Sequence, residues 1–294
     1  MVAGKWGRAL GILAVLVGGL CGSSAGILVR LVEHADGWQI LFFRSVSFSL
    51  TVLLFMIVKD GFGLRQRFLS IGLPGVVVAL CLGGAFIAFI LSMLLTTVAN
   101  AVFILSASPF MAALLSRWLL KEQISVLSWI CMTAGLCGVA FMVADGLLSG
   151  TVAGSAVALI ATAGYAASIV AFRAGKDIDM MPATCLAGVF ATLISLALVS
   201  DFAIGRNDLI VACLLGAFQI GGQYILITIA ARYVPATEIT LLMLLEVVAA
   251  PIWVWIGVGE VPAVLTMIGG AIVLGAVAVQ AVAGLKTERA ATTP

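Results

Sequence analysis

Stretches of about 20 mostly apolar residues, long enough to cross about 30 Å of hydrocarbon as helices, recur from one end of this chain to the other. They fall near residues 9–29, 38–58, 68–94, 98–118, 125–144, 151–172, 183–200, 209–230, 238–257 and 263–284, separated by Gly, Pro and charged residues. The expected fold class is an all-α integral membrane protein of ten transmembrane helices. Hydrophobic residues make up 63% of the 294 positions and charged residues only 10%. That much apolar surface exceeds what one soluble core hides, and no stretch is left over for a soluble catalytic domain.

The positive charges check the count. With the N-terminus in the cytoplasm, Lys5, Arg8, Lys59, Arg65, Arg67, Arg117, Lys121, Arg173, Lys176, Arg232, Lys286 and Arg289 all fall on that side, and only Arg30 and Arg206 fall outside. Cytoplasmic loops carry the excess of Lys and Arg, and one missed or invented helix would scramble every later loop. Both termini are therefore expected in the cytoplasm, in a bacterial-type inner membrane. Trp6, Trp38, Trp118, Trp129, Trp253 and Trp255 stand within a turn or two of span ends, where amphipathic rings favour the headgroup region. Lys5 and Arg8 ahead of an apolar run imitate a signal peptide, but keeping that run as the first span preserves the charge bias.

A net charge of +2, scattered over short loops, gives no basis for a nucleic-acid partner. Cys21, Cys81, Cys131, Cys137, Cys185 and Cys213 lie inside apolar runs with no CxxC spacing. They read as small buried hydrophobes, not as disulfides or metal ligands, and no cofactor is expected.

Sliding the sequence by 138 positions lays ALCLGGAFIAFIL (79–91) over AFQIGGQYILITI (217–229) and matches Gly83-Gly84 with Gly221-Gly222. The same shift puts Ser108 on Glu246, Pro109 on Val247 and Glu122 on Glu260. The chain thus divides into repeats, 1–147 and 148–294, forming one transmembrane domain. Each holds five spans, an odd number, so the second enters the membrane from the opposite side. Inverted repeats of this kind surround midplane sites in many secondary transporters.

The polar residues at membrane depth are few. Gly83, Gly84, Gly221 and Gly222 sit inside helices, where glycine costs about 1 kcal/mol relative to alanine; they serve close helix packing or leave room for a solute. Gln219 and Gln223, four apart, offer amides from one helical face. Pro109 frees the carbonyl of Leu105 and kinks the fourth span, with Ser106 and Ser108 either mending that defect or lining a pathway. Pro251 frees Val247 in the same way. Arg44 and Glu246 are the charges well inside spans, where a charge costs roughly 3 kcal/mol on insertion scales and faces water or a partner. For Glu246 a structural salt bridge, recognition of a substrate ammonium and proton coupling all stay open. Ser23, Ser24, Tyr165, Ser168, Tyr224 and Thr228 complete the inventory, each able instead to bond its own helix backbone.

CGSSAGILVR (21–30), the FFR ending at Arg44, ANAVFILSASPFMAALLSRWLLKE (99–122) and the echo VPATEITLLMLLEVVAAPIWVWIGVGE (234–260) resemble the drug/metabolite transporter superfamily. The resemblance is to its ten-helix EamA-type exporters and, more loosely, to the YddG-type amino acid exporters. It implies a central cavity lined by spans 1, 3, 4, 6, 8 and 9, and a homodimer contact through spans 5 and 10. Two departures stand out: Cys21 replaces a tryptophan common in relatives, and Val247 replaces a proline after Glu246. The second implies a ninth-helix break shifted toward Pro251.

The expected function is export of small polar metabolites, amino acids first, by alternating access. Candidate substrate-binding residues are Ser23, Ser24, Gly83, Gly84, Ser106, Ser108, Tyr165, Gln219, Gln223, Tyr224 and Glu246. The partners are a small-molecule substrate and the lipid bilayer. No GxxxxGK[ST] loop supports direct ATP drive. A lipid or polyprenol-linked flippase is the main alternative. An intramembrane enzyme is the lesser one, because His34, the single histidine, lies in a predicted outer loop and no acidic cluster appears.

Overall fold

A computed structural model describes residues 2–61, 63–119, 121, 126–149, 151–175, 178–230, 233–234, 239 and 242–292. Glu122, Lys176, Arg232 and part of the expected start of the ninth span lie outside them. All regular structure among the described residues is helical. Nine segments there are long and apolar enough to cross a membrane, and a tenth apolar helix is shorter.

We number ten helical elements. α1 runs Val2–Ser23 and resumes as Ala25–Arg30, and α2 is Gly37–Asp60. α3 is Gly72–Leu95, and α4 is Val98–Leu105 resuming as Ser108–Leu119. α5 is Val126–Ser149, α6 Val152–Ala174 and α7 Met181–Leu198. α8 runs Arg206–Leu214, Leu215–Gly222 and Gln223–Ala230, with the middle piece wound as a π-helix. α9 is Leu244–Val258 and α10 Val264–Thr292.

Local chemistry sets several boundaries. The Asp36 carboxylate accepts the N–H groups of Trp38 (2.7 Å) and Gln39 (2.9 Å), while the Gln39 side chain accepts the Asp36 N–H at 2.9 Å. This reciprocal box starts α2, and Gly61, at φ +74°, ends it. The Thr97 hydroxyl accepts the Asn100 N–H and starts α4.

The packing carries the repeat symmetry. α3 packs on α6 and α7, and its counterpart α8 packs on α1 and α2; α2 meets α7, α4 meets α9 and α5 meets α10. Exchanging the halves maps this contact set onto itself, as two inverted five-helix repeats require.

Several helices are interrupted around the middle of the bundle. α4 stops at Leu105 and restarts at Ser108, because Pro109 has no N–H to give the Leu105 carbonyl. α9 starts at Leu244 after a turn at Met243, where the Glu246 N–H bonds the Met243 carbonyl. The break is therefore not shifted toward Pro251, through which α9 runs on to Val258. Under the 138-residue offset Met243 corresponds to Leu105, the last helical residue before the α4 gap, so the two repeats break at nearly the same place, one with a proline beside the gap and one without.

Candidate functional site

A cavity of about 370 Å³ lies where these interruptions meet. α1, α2, α3, α4, α6, α8, α9 and α10 all contribute to its wall. Ser106, Ser108, Tyr165, Gln219, Gln223, Tyr224 and Glu246 line it together. Ser108 and Glu246 each stand in the first turn of a restarted helix. There the unpaired N–H groups and the helix dipole favour a negative or hydrogen-bond-accepting group.

Glu246 is half-buried and accepts a hydrogen bond from the Gln223 amide. Gly22 of α1 makes room for this pair: a Cβ on Gly22 would lie 2.6 Å from the Glu246 carboxyl carbon. The Gln219 amide donates to the Gly22 carbonyl at 3.3 Å, and its own oxygen is buried with no partner among the described residues. Tyr224 packs edge-on against Phe48 and Phe86, with centroids 6.1 and 6.2 Å apart. Arg44, 1% exposed, reaches the cavity wall with its guanidinium 5.5 Å from the centre of the Phe86 ring.

Four sequence-derived candidates are not on the wall. The Ser23 hydroxyl donates to Leu20 O (2.8 Å) and accepts the Trp253 indole N–H (3.0 Å), a tie between α1 and α9. Ser24 donates to Cys21 O at 2.6 Å. Both hydroxyls go to backbone at the α1 break, and their neighbours Gly22 and Ala25 face the cavity instead. Gly83 faces α7, where a Cβ would come within 2.6 Å of the Ala187 carbonyl oxygen, so its missing side chain serves helix contact. Gly84 has no close neighbour in that direction. The cavity face of α3 is carried instead by Ala85, Phe86 and Phe89. Gly22 was not singled out from sequence, since a glycine in an apolar helix looks the same whether it admits a helix or a carboxylate.

The two ends of the bundle differ. At one end Arg30 bonds Glu260 (2.7 Å), Met93 O (2.8 Å) and Thr96 O (3.0 Å), while Glu260 also accepts the Val98 N–H at 2.8 Å. Beside this latch the Asp208 carboxylate accepts the N–H groups of Glu33, His34 and Ala35, at 2.9, 3.0 and 2.8 Å. The cavity wall runs from Ala25 and Val102 on the latch side to Ile169, Ile227 and Ile239 toward the other end.

Residues 9–144 and 152–281 each match the EamA-like transporter family. The chain belongs to that family. It is also 27% identical over 268 residues to an uncharacterized transporter, YdfC, of Bacillus subtilis (strain 168), covering 87% of this chain and 84% of the relative. A solved structure described only as the crystal structure of a protein superposes with a TM-score of 0.65 at 17% identity, covering 96% of this chain and 99% of that one. At that identity the likeness speaks to fold alone. This EamA-like chain is thus a multi-pass membrane transporter, and its two family blocks meet across the cavity.

Proposed function

We propose that this EamA-like chain exports small polar metabolites, amino acids first, by alternating access about the central cavity, with both termini in the cytoplasm of a bacterial inner membrane. The observation that carries this reading is the convergence of Glu246, Gln223, Gln219, Ser108 and Tyr165 on one cavity at repeat-equivalent helix breaks. Interrupted helices at corresponding positions of inverted repeats are the usual construction of a midplane substrate site. In this orientation the Arg30–Glu260 latch lies at the outer end, where a carrier that loads its cargo from the cytoplasm needs a closure. A volume of about 370 Å³ suits a small solute and a few waters, which favours metabolites over a polyprenol-linked lipid. Moving such a solute needs no bond chemistry, so the chain acts as a carrier, not an enzyme.

The test is counterflow in liposomes holding the purified protein, with radiolabelled amino acids and nucleosides, with and without a pH gradient. Accumulation of amino acids above empty liposomes is expected. Uptake of nucleosides alone would remove the amino acid assignment, and no uptake of any probe would remove the carrier reading.

A further inference from the structure

Arg44 is a buried cation whose position in the fold is fixed and which no carboxylate pairs with among the described residues. Its backbone is clamped: Gly216 of α8 lets α2 approach so closely that a Cβ there would come within 2.8 Å of the Phe48 N. The Ser47 hydroxyl reinforces the contact by donating to Cys213 O at 2.9 Å. Among the described residues no carboxylate lies within ion-pair distance of Arg44, and its Nε is buried with no hydrogen-bond partner. The ring face of Phe86 gives it a cation–π neighbour, which orients the planar fork but accepts none of its five N–H bonds. Leaving a guanidinium in this state at membrane depth is costly, and charges so placed have a pathway or ligand role as their usual reason.

We infer that Arg44 is the anchor for a carboxylate on the transported solute. The inference rests on the transport reading of the same cavity and narrows its cargo. Among the described residues no other Arg and no Lys lines the cavity. A single fork matches a single carboxylate in bidentate geometry, whereas a phosphate dianion calls for more than one cation. Glu246, on α9 and hydrogen-bonded by Gln223, supplies a second pole that is not paired with Arg44. Two opposite charges held apart in one cavity complement a zwitterion, with its carboxylate on Arg44 and its ammonium toward Glu246. Cargo of this class excludes simple amines, esters and amides of the same side chain.

The experiment uses the purified full-length protein and scintillation-proximity binding of tritiated L-leucine, L-phenylalanine and L-serine. Each is competed by itself and by its own amide, which keeps the ammonium and loses the carboxylate. The wild type should prefer acid to amide by about tenfold or more, the scale of a charge-assisted bidentate pair. Arg44→Gln should bring that ratio to about one. Arg44→Lys, a point charge without the fork, should lower the ratio but keep a preference, and it carries the test if Arg44→Gln is not monodisperse. The inference is overturned if amides compete as well as acids in the wild type, if no carboxylate probe binds, or if neither variant changes the ratio. Counterflow of the same probes in liposomes separates the two claims: an acid preference that depends on Arg44 without any transport keeps the anchor and removes the carrier.

Discussion

The third helix of each repeat presents equivalent positions to the cavity with different chemistry. On α3 the lining residues are Ala85, Phe86 and Phe89; 138 residues later, on α8, they are Gln223, Tyr224 and Ile227. Gln219, also on the wall, corresponds to Cys81, which is not. The same holds one helix on, where Ser108 corresponds to Glu246. α3 is an unbroken α-helix, whereas α8 passes through a π-wound stretch over Leu215–Gly222, a departure that concentrates at functional sites. The repeat therefore sets the backbone frame, and divergence within it has made one wall apolar and the other hydrogen-bonding. An asymmetric cavity of this kind fixes which way round a cargo sits.

Gly22 is where the comparison breaks most severely, because it is the first-repeat residue that makes room for the polar wall. Gly22→Leu should reduce counterflow by about 100-fold or more, by driving a side chain into Gln223 and Glu246, while a monodisperse elution profile shows the fold intact. Wild-type transport would mean that the pair is not on the route. Next comes the direct contrast between walls. Gln223→Ala should lower transport efficiency about 10-fold to 100-fold by removing a hydrogen bond to a charged group. Ala85→Ser, at the matching position, should change it less than about threefold; equal effects would deny any division of labour.

The latched end gives a smaller effect. Arg30→Gln frees α1 from Glu260 and from the end of α3, so a cysteine placed at Val102 in a cysteine-free chain should react about fivefold faster with an impermeant maleimide added from that side. An unchanged rate would show that the latch does not hold that end closed. The smallest effect is the most local. Gly83→Ala should destabilise by about 1–3 kcal/mol against the Ala187 carbonyl, while Gly84→Ala should be neutral or gain up to about 1 kcal/mol. Thermal unfolding in detergent reads both, and the opposite order would contradict the packing of α3 on α7.

The spans were legible because hydrocarbon thickness demands one length of apolar residues, and the repeat because Gly83-Gly84 and Gly221-Gly222 mark the same offset. Glu246 and Arg44 drew notice because charge at membrane depth is rare. The π-winding of α8 left no trace, since it is a change in backbone pairing that Leu215–Gly222 accommodate with ordinary apolar residues. The α9 break at Met243 was equally silent, having no proline beside it, while Pro251 attracted the expectation and only interrupts one hydrogen bond. Ala85, Phe86 and Phe89 drew no notice, because an apolar cavity wall has no composition of its own. Ser23 and Ser24 read as polar lining, yet a hydroxyl beside a helix break is satisfied most cheaply by the backbone it adjoins.

The polar wall of the second repeat stands or falls on Glu246. The most direct measurement is counterflow and gradient-driven uptake of amino acids by Glu246→Gln in liposomes, beside the wild type and across external pH. Loss of the dependence on a pH gradient with exchange retained marks proton coupling, and selectively weakened affinity for zwitterionic or cationic substrates marks ammonium recognition. Either result is what an acidic pole facing the cargo predicts. If Glu246→Gln moves every substrate at the wild-type rate with the wild-type pH dependence, the carboxylate plays no part in transport and the account of the cavity is contradicted.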